Sequence, residues 1–219
     1  MKSRRDDTFN DTGGGRGRPR GFDVDVALDR ALNVFWRKGY EGASLDDLTA
    51  AMGINRPSLY AAFGHKEELF RKVLERYAQG PAAHACKAMQ APTARAVAEL
   101  MLLGTVELLT DPGHPRGCLA VQSALAGGET SECIRRELIA HREAGVAALR
   151  KRFQRARREG DLPRNADPAH LARYIATIAH GLAVQAASGA TRTELIRVVK
   201  TALRALEPDL QSPAPSRLR

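Results

Sequence analysis

From Asp23 onward apolar residues recur with a helical period, and no segment shows the two-residue alternation of a strand bounded by turn signals. Val24, Leu28, Ala31 and Phe35 share one face and predict a first helix over about 23–38, ended by Gly39. Ser44 reads as an N-cap, with Asp47 placed to meet the helix dipole, and it opens a short second helix from Leu45 to Met52. Gly53, Ile54 and Asn55 form a tight turn. A third helix starts at Arg56-Pro57, where a proline without an N–H costs nothing, and runs to about Phe63. Gly64-His65 separates it from a fourth, Lys66 to Gln79, with Leu69, Phe70, Val73, Leu74 and Tyr77 turned inward.

Helix, short helix, glycine turn, helix is the outline of a helix-turn-helix. Leu45, Leu48, Ala51, Met52, Ile54 and Leu59 face inward, which leaves Arg56, Ser58 and Tyr60 outside. Such a helix presents its N-terminal residues to base edges and phosphates in the major groove. Arg56 suits bidentate pairing with guanine, Ser58 a base edge or phosphate, the Tyr60 hydroxyl a phosphate, and Lys66 the DNA backbone. Any three-helix bundle also exposes such residues, so the pattern alone leaves a plain bundle open.

Past Gly80-Pro81 the composition shifts. Residues 82–92, rich in alanine, read as a connector or a helix extension. Helices follow over about 93–109, 118–126, 131–158, 167–188 and 193–206, about nine in all, with breakers crowding residues 111–117. The long helix 131–158 has a basic C-terminal end that complements its dipole. Leu171, Ile175, Ile178 and Leu182 form a stripe interleaved with small residues, and Leu195, Val198, Val199, Ala202 and Leu206 form another. Both fit a two-fold helical interface, and both also fit burial within their own chain.

The chain has 219 residues, 43% of them hydrophobic, enough for one large domain or two small ones. Its apolar runs are too short for a bilayer span and its N-terminus has no secretory core, so a cytoplasmic protein without membrane contact is expected. The formal charge of +9 suits a polyanionic partner by counterion release, although a solvated basic surface gives the same sum. Three cysteines without C-x-x-C spacing argue against a disulfide framework and a zinc finger. His114, Cys118, Cys133 and His141 match no compact metal spacing either. No HExxH, P-loop, GxSxG or dinucleotide motif is present, and the pairs Asp46-Asp47 and Glu67-Glu68 sit at helix starts where dipole compensation explains them. No enzyme, cofactor or metal is expected.

The stretch TAAMGINRPSLYAAFGHKEELF, Thr49 to Phe70, closely resembles the DNA-binding signature of the TetR family of repressors. The resemblance extends back through ALNVFWRKGYEGASLDDL to Phe22 and covers roughly residues 22–77. It implies an all-α fold with an N-terminal three-helix DNA-binding domain and a C-terminal helical domain for effector binding and dimerisation. The expected divisions are a disordered basic arm over 1–21, the helix-turn-helix domain over 22–79, the effector and dimer domain over 80–208, and a tail over 209–219. Ser44, Arg56, Pro57, Ser58, Tyr60 and Lys66 occupy positions that commonly touch DNA in the family. Two positions depart from it. Ala62 replaces a frequent histidine and its phosphate contact, and His65 replaces the usual cap of the fourth helix, where it either caps weakly or faces a phosphate.

The implied partners are a palindromic double-stranded operator, an unidentified small effector and a second copy of the chain, joined through Leu171, Ile175, Ile178, Leu182, Leu195, Val199 and Ala202. The expected effector pocket draws on Met101, Leu102, Cys118, Leu119, Val121, Gln122, Leu125, His141 and His180, each of which also fits an ordinary core. The segment RGCLAVQSALAGGE is similar to a NemR-like subgroup that senses electrophiles and oxidants through a cysteine at the place of Cys118. Its position at a helix start beside Arg116 favours thiol reactivity, and a buried inert thiol is the alternative. Arg16, Arg18 and Arg20 in GRGRPR precede the first helix, from where an arm reaches an A·T-rich minor groove. The expected function is a ligand-responsive repressor released from its operator by a small effector. A thiol sensor using Cys118 and a non-specific architectural DNA binder are the alternatives.

Overall fold

The computed structural model describes residues 21–125 and 132–207. Among the described residues there are ten α-helices, one 3₁₀ turn and no strand. They are α1 (Val24–Gly42), α2 (Leu45–Met52), α3 (Arg56–Phe63), α4 (Lys66–Gln79), α5 (His84–Ala88), α6 (Ala94–Thr110), α7 (Leu119–Leu125), α8 (Glu132–Arg158), α9 (Pro168–Ala187) and α10 (Arg192–Ala205), with the 3₁₀ turn at Pro81–Ala83 before α5. The expected count of about nine is one short. The alanine-rich stretch after Pro81 closes a helix of its own, in keeping with alanine's helix propensity.

Local chemistry sets the boundaries around the turn. Ser44 and Asp47 form a reciprocal capping box: the Asp47 amide donates to the Ser44 hydroxyl at 3.0 Å and the Ser44 amide donates to the Asp47 carboxylate at 3.1 Å. Gly53 ends α2 in the left-handed region, φ 69°, where a side chain would be strained. There its amide and that of Ile54 donate to the carbonyls of Ala50 and Thr49, a Schellman end. Asn55 then caps α3 by accepting from the Ser58 amide at 2.9 Å. The helical geometry of α1 breaks at Gly39, and the residues past the break turn Tyr40 into the core.

Two buried clusters divide the molecule. The first holds Phe35, Trp36, Tyr40, Phe63, Phe70 and Tyr77 from α1, α3 and α4, and it extends to Leu119, Ala120, Ile134 and Leu138 of α7 and α8. Its rings meet edge to face: Phe35–Phe70 and Tyr40–Phe70 centroids lie 5.0 Å apart, and Trp36–Tyr77 4.8 Å. The second is aliphatic, built on α6, α8, α9 and α10, and Phe153 is its fully buried aromatic ring. Arg152 enters this core and donates from Nη2 to the carbonyls of Ala91 and Pro92 at 2.7 and 3.2 Å, fixing the approach to α6.

Polar ties join the two regions. Trp36 Nε1 donates to the Gly117 carbonyl at 2.8 Å in a buried bond, and its ring stacks on His114 at 5.2 Å. Arg71 of α4 grips Glu137 of α8 through Nε and Nη2 at 2.7–3.0 Å. Within the first region, Arg76 binds both oxygens of Asp29 at 2.8 Å and Asp25 at 3.1 Å, locking α4 to α1.

Candidate DNA interface and effector cavity

Packing of Leu59 and Phe63 into the first core fixes the rotation of α3 and turns its other face outward. Arg56 and Pro57 are exposed, Tyr60 is 41% exposed and Ser58 is half-buried. Arg56 Nη2 pairs with Asp46 Oδ1 at 2.8 Å across the turn. Both partners are more than half exposed, so water screens the pair and it holds the guanidinium only weakly. The Tyr60 ring tilts against His65 at 5.5 Å.

His65 stands at the N-cap of α4, but its ring makes no cap hydrogen bond. The reciprocal half of the box is formed, with the His65 amide donating to Glu68 at 2.8 Å. An imidazole on this backbone does not replace the shorter Ser, Asp or Asn. Lys66 is half-buried, its Nζ 4.4 Å above the Tyr40 ring. Burial lowers its pKa, countered by Glu41 and Glu67. Ser44 already commits its hydroxyl, which donates to Asp47 at 2.8 Å. The Asp47 carboxyl titrates at about 2, held down first by the hydrogen bond from Lys38, whose Nζ lies 2.7 Å away, and then by Ser44. Arg16, Arg18 and Arg20 lie outside the described residues.

A cavity of about 370 Å³ lies between α4, α5, α6, α7, α8 and α9. Of the residues expected around an effector, Met101, Cys118, Val121, His141 and His180 line it. Leu102 and Leu119 do not, because both are fully buried in the two cores. Gln122 turns back along its own loop instead, donating from Nε2 to the Arg116 carbonyl at 3.0 Å. The Leu125 side chain lies outside the described residues.

The wall also carries Tyr77, expected as a core residue of the fourth helix, and His84, Thr105 and Arg142, which helical periodicity did not single out. Thr105 Oγ1 donates to the Met101 carbonyl at 2.8 Å and lies 3.2 Å from His84 Nε2. Burial lowers the pKa of His84 and of His180, so both rings are neutral at neutral pH. The only signals in the sequence were the aromatic and polar character of these residues; their convergence joins four separate helices.

The stripes expected to form a dimer are turned inward. Leu171, Ile175, Leu182, Leu195, Val199 and Ala202 are all buried within the chain, and Ile178 is half-buried. Among the small residues between them, Ala176, Ala179 and Ala183 line the cavity rather than a helix crossing. Of the expected α10 stripe Val198 stays 46% exposed, and the outer face of α9 exposes Val184 at 40%.

Comparisons with known proteins agree with this arrangement. Residues 27–73 match the family model described as bacterial regulatory proteins of the tetR family, and residues 99–203 match the tetracyclin repressor-like C-terminal domain. The HTH-type transcriptional repressor ComR of Escherichia coli strain K12 is 34% identical over 200 residues, spanning 89% of this chain and 93% of ComR. A cysteine mutant of the TetR family regulator CifR, solved in complex with 26-bp double-strand operator DNA, is 46% identical. It superposes with a TM-score of 0.82, over 86% of this chain and 99% of that one. Reduced E. coli NemR shares the fold at a TM-score of 0.69 and 19% identity, over 87% of this chain and 98% of that one.

Proposed function

The chain belongs to the TetR family of transcriptional regulators, and from that membership we propose that it is a cytoplasmic, homodimeric repressor without catalytic activity, released from a palindromic operator by a small effector. The observation that carries the proposal is α3. A Schellman turn and an Asn55 cap fix the start of the helix, and with Leu59 and Phe63 buried it leaves Arg56, Pro57 and Tyr60 exposed and Ser58 half-buried at its N-terminal end. The solved complex of the 46%-identical CifR with operator DNA supports operator binding by this chain. The weak Arg56–Asp46 pair is exchanged for DNA on docking, Lys66 and His65 flank the backbone, and Arg16, Arg18 and Arg20 add minor-groove affinity.

Two copies are required because one recognition helix reads one half-site. The outer faces of α9 and α10, with Val184, Val198 and the edge of Ile178, are the proposed contact. The effector site is the 370 Å³ cavity, walled in part by α4, the helix that leads out of the DNA-reading unit. An occupied cavity favours the dimer state whose recognition helices are wrongly spaced. A coupling of about 1–3 kcal/mol gives a five- to 150-fold fall in operator affinity.

Footprinting on the DNA beside the protein's own gene tests the central claim. Arg56→Ala is expected to weaken the footprint by about 1–3 kcal/mol and to relax the preference at the guanine it contacts. An unchanged footprint in that variant overturns the assignment of α3. A second reading rests on Cys118, which is half-buried in the cavity wall. If its thiol is the sensor, alkylation releases DNA from the wild type and not from Cys118→Ser, which also controls for the exposed Cys86 and Cys133.

A further inference from the structure

The cavity wall holds a polar atom that is buried without a hydrogen-bond partner, the Tyr77 hydroxyl. The Tyr77 side chain is 3% exposed. A buried hydroxyl left unsatisfied costs about 1–3 kcal/mol, so a fold that keeps one in a cavity wall has a use for it. The groups beside it are the Cys118 thiol and the Leu119 backbone amide. The amide, at the first turn of α7, is a donor and cannot take the hydroxyl proton. A thiol is a weak acceptor. The hydroxyl proton is therefore the part without an adequate partner, and the missing group is an acceptor.

The rest of the wall says what must carry that acceptor. Met89, Met101, Leu108, Val121, Leu149 and Ile175 supply an apolar lining. Burial first, and then the Cys118 sulfur beside it, raises the pKa of Tyr77, so the hydroxyl stays protonated. His84 is neutral and the nearest charge acting on it is the carboxylate of Glu107. No cation acts on Tyr77 to hold an anionic head group there and no carboxylate acts on it to hold a cationic one; the wall's cation acts on His180 instead. Arg142 of α8 is the permanently charged residue in the wall. At 370 Å³ the space is near the lower end for ligand sites.

We propose that the effector is a small, neutral, largely apolar molecule with one hydrogen-bond acceptor, a carbonyl, ether or hydroxyl oxygen, which takes its hydrogen bond from Tyr77. This rests on the proposed role of the cavity as the effector site. Tyr77 is well placed to report occupancy, because its ring stands edge-on to Trp36 at 4.8 Å and Trp36 is the only tryptophan in the chain. Trp36 in turn donates to Gly117, the residue before Cys118.

The test titrates the full-length protein with 2-heptanone, toluene, heptanoate and heptylammonium, following binding by calorimetry and by Trp36 emission. None of these measurements uses DNA, so failure of the DNA-binding assignment leaves their outcome intact. The ketone is expected to bind saturably and to change Trp36 emission. Tyr77→Phe should weaken the ketone by about three- to tenfold, the weight of one hydrogen bond, while leaving toluene unchanged. The same variant should keep or raise the melting temperature of the free protein, since it removes an unsatisfied hydroxyl. Heptanoate or heptylammonium binding as tightly as the ketone overturns the proposal, and loss of heptanoate in Arg142→Gln would identify an anionic head group instead. Equal ketone affinity in Tyr77→Phe and wild type overturns it, as does the absence of saturable binding by any probe.

Discussion

The two buried clusters are made of different material and do different work. The DNA-reading unit fills its interior with rings: Phe35, Trp36, Tyr40, Phe70 and Tyr77 pair at centroid distances of about 5–6 Å, and Phe63 packs against Phe22. The C-terminal unit places short side chains between its helices, including Ala144, Gly145, Ala148, Ala176, Ala179 and Ala183, and keeps about 370 Å³ open. Alanine pairs bring helices together only if nothing else sets their distance. Here Arg152 holds the run into α6 by its carbonyls, and Arg71–Glu137 holds α8 to α4. Short side chains on helices fixed by outside struts leave a void. A filled core suits a rigid reader of DNA, and an unfilled one suits a region that changes with its contents.

One substitution made in both places breaks this comparison if it is wrong. Ala31 is completely buried among the rings, and Ala179 lies in the cavity wall. Ala31→Leu adds atoms where there is no space and is expected to destabilise by about 3 kcal/mol, through off-rotamer packing and a shifted α1. Ala179→Leu points the same atoms into empty volume. It should change stability by less than about 1 kcal/mol and abolish binding of 2-heptanone. Denaturant unfolding and calorimetry measure both; equal destabilisation at the two sites would mean that the cavity closes in solution.

The same contrast explains what could be read from the chain alone. Around the turn, each boundary is set by residues within five positions of one another: Ser44 with Asp47, Gly53 with Ala50 and Thr49, Asn55 with Ser58. Such pairs are visible in sequence, and so is the inward stripe that turns Arg56 and Tyr60 out. In the C-terminal unit the helix spans were also legible, because their caps are local too. What each stripe faces was not. Leu182 and Val199 fit a partner's surface as well as their own core, and Ala176 fits a tight crossing as well as an open wall. Tyr77 and His84 reach one cavity from helices whose sequence spacing says nothing about convergence. The Trp36–Gly117 bond spans 81 residues, beyond any local rule.

That bond is the joint between the two regions, and removing its donor sharpens the comparison. Trp36→Phe keeps an aromatic ring but loses the Nε1 proton, leaving the Gly117 carbonyl buried without it. The expected loss is about 1–3 kcal/mol. Its distinctive sign is a change in cooperativity, with the ring-filled unit and the cavity-bearing unit unfolding in two steps instead of one. Hydrogen exchange over residues 111–118 should rise in the same variant. A single transition with the wild-type midpoint would show that Arg71–Glu137 and the packing of α7 and α8 on the first core couple the regions without this bond.

The smallest effect separates two capping boxes, Ser44/Asp47 in the reader and Thr191/Glu194 at the start of α10. In each, the carboxylate accepts from the cap's backbone amide, at 3.1 and 2.7 Å. Asp47 has an additional partner in Lys38, and that hydrogen bond is the first cause of its depressed pKa of about 2. Glu194 is lowered by the hydroxyl and amide of Thr191. A carboxyl whose folded pKa lies below its unfolded value stabilises the fold above the unfolded value and ceases to as pH falls through the folded one. For Asp47 the contribution is complete above about pH 4 and is lost between about pH 4 and about pH 2. For Glu194 the loss begins just below the ordinary glutamate range, near about pH 4.3. Denaturant midpoints of Asp47→Asn and Glu194→Gln, each against wild type over pH 7 to about pH 2, should therefore start with small deficits that shrink on acidification. The Asp47 deficit should persist to the lower pH, because protonating it must also break the Lys38 contact. A deficit for Asp47→Asn that is the same at pH 7 and pH 2 would mean that neither the charge pair nor the box contributes through ionisation.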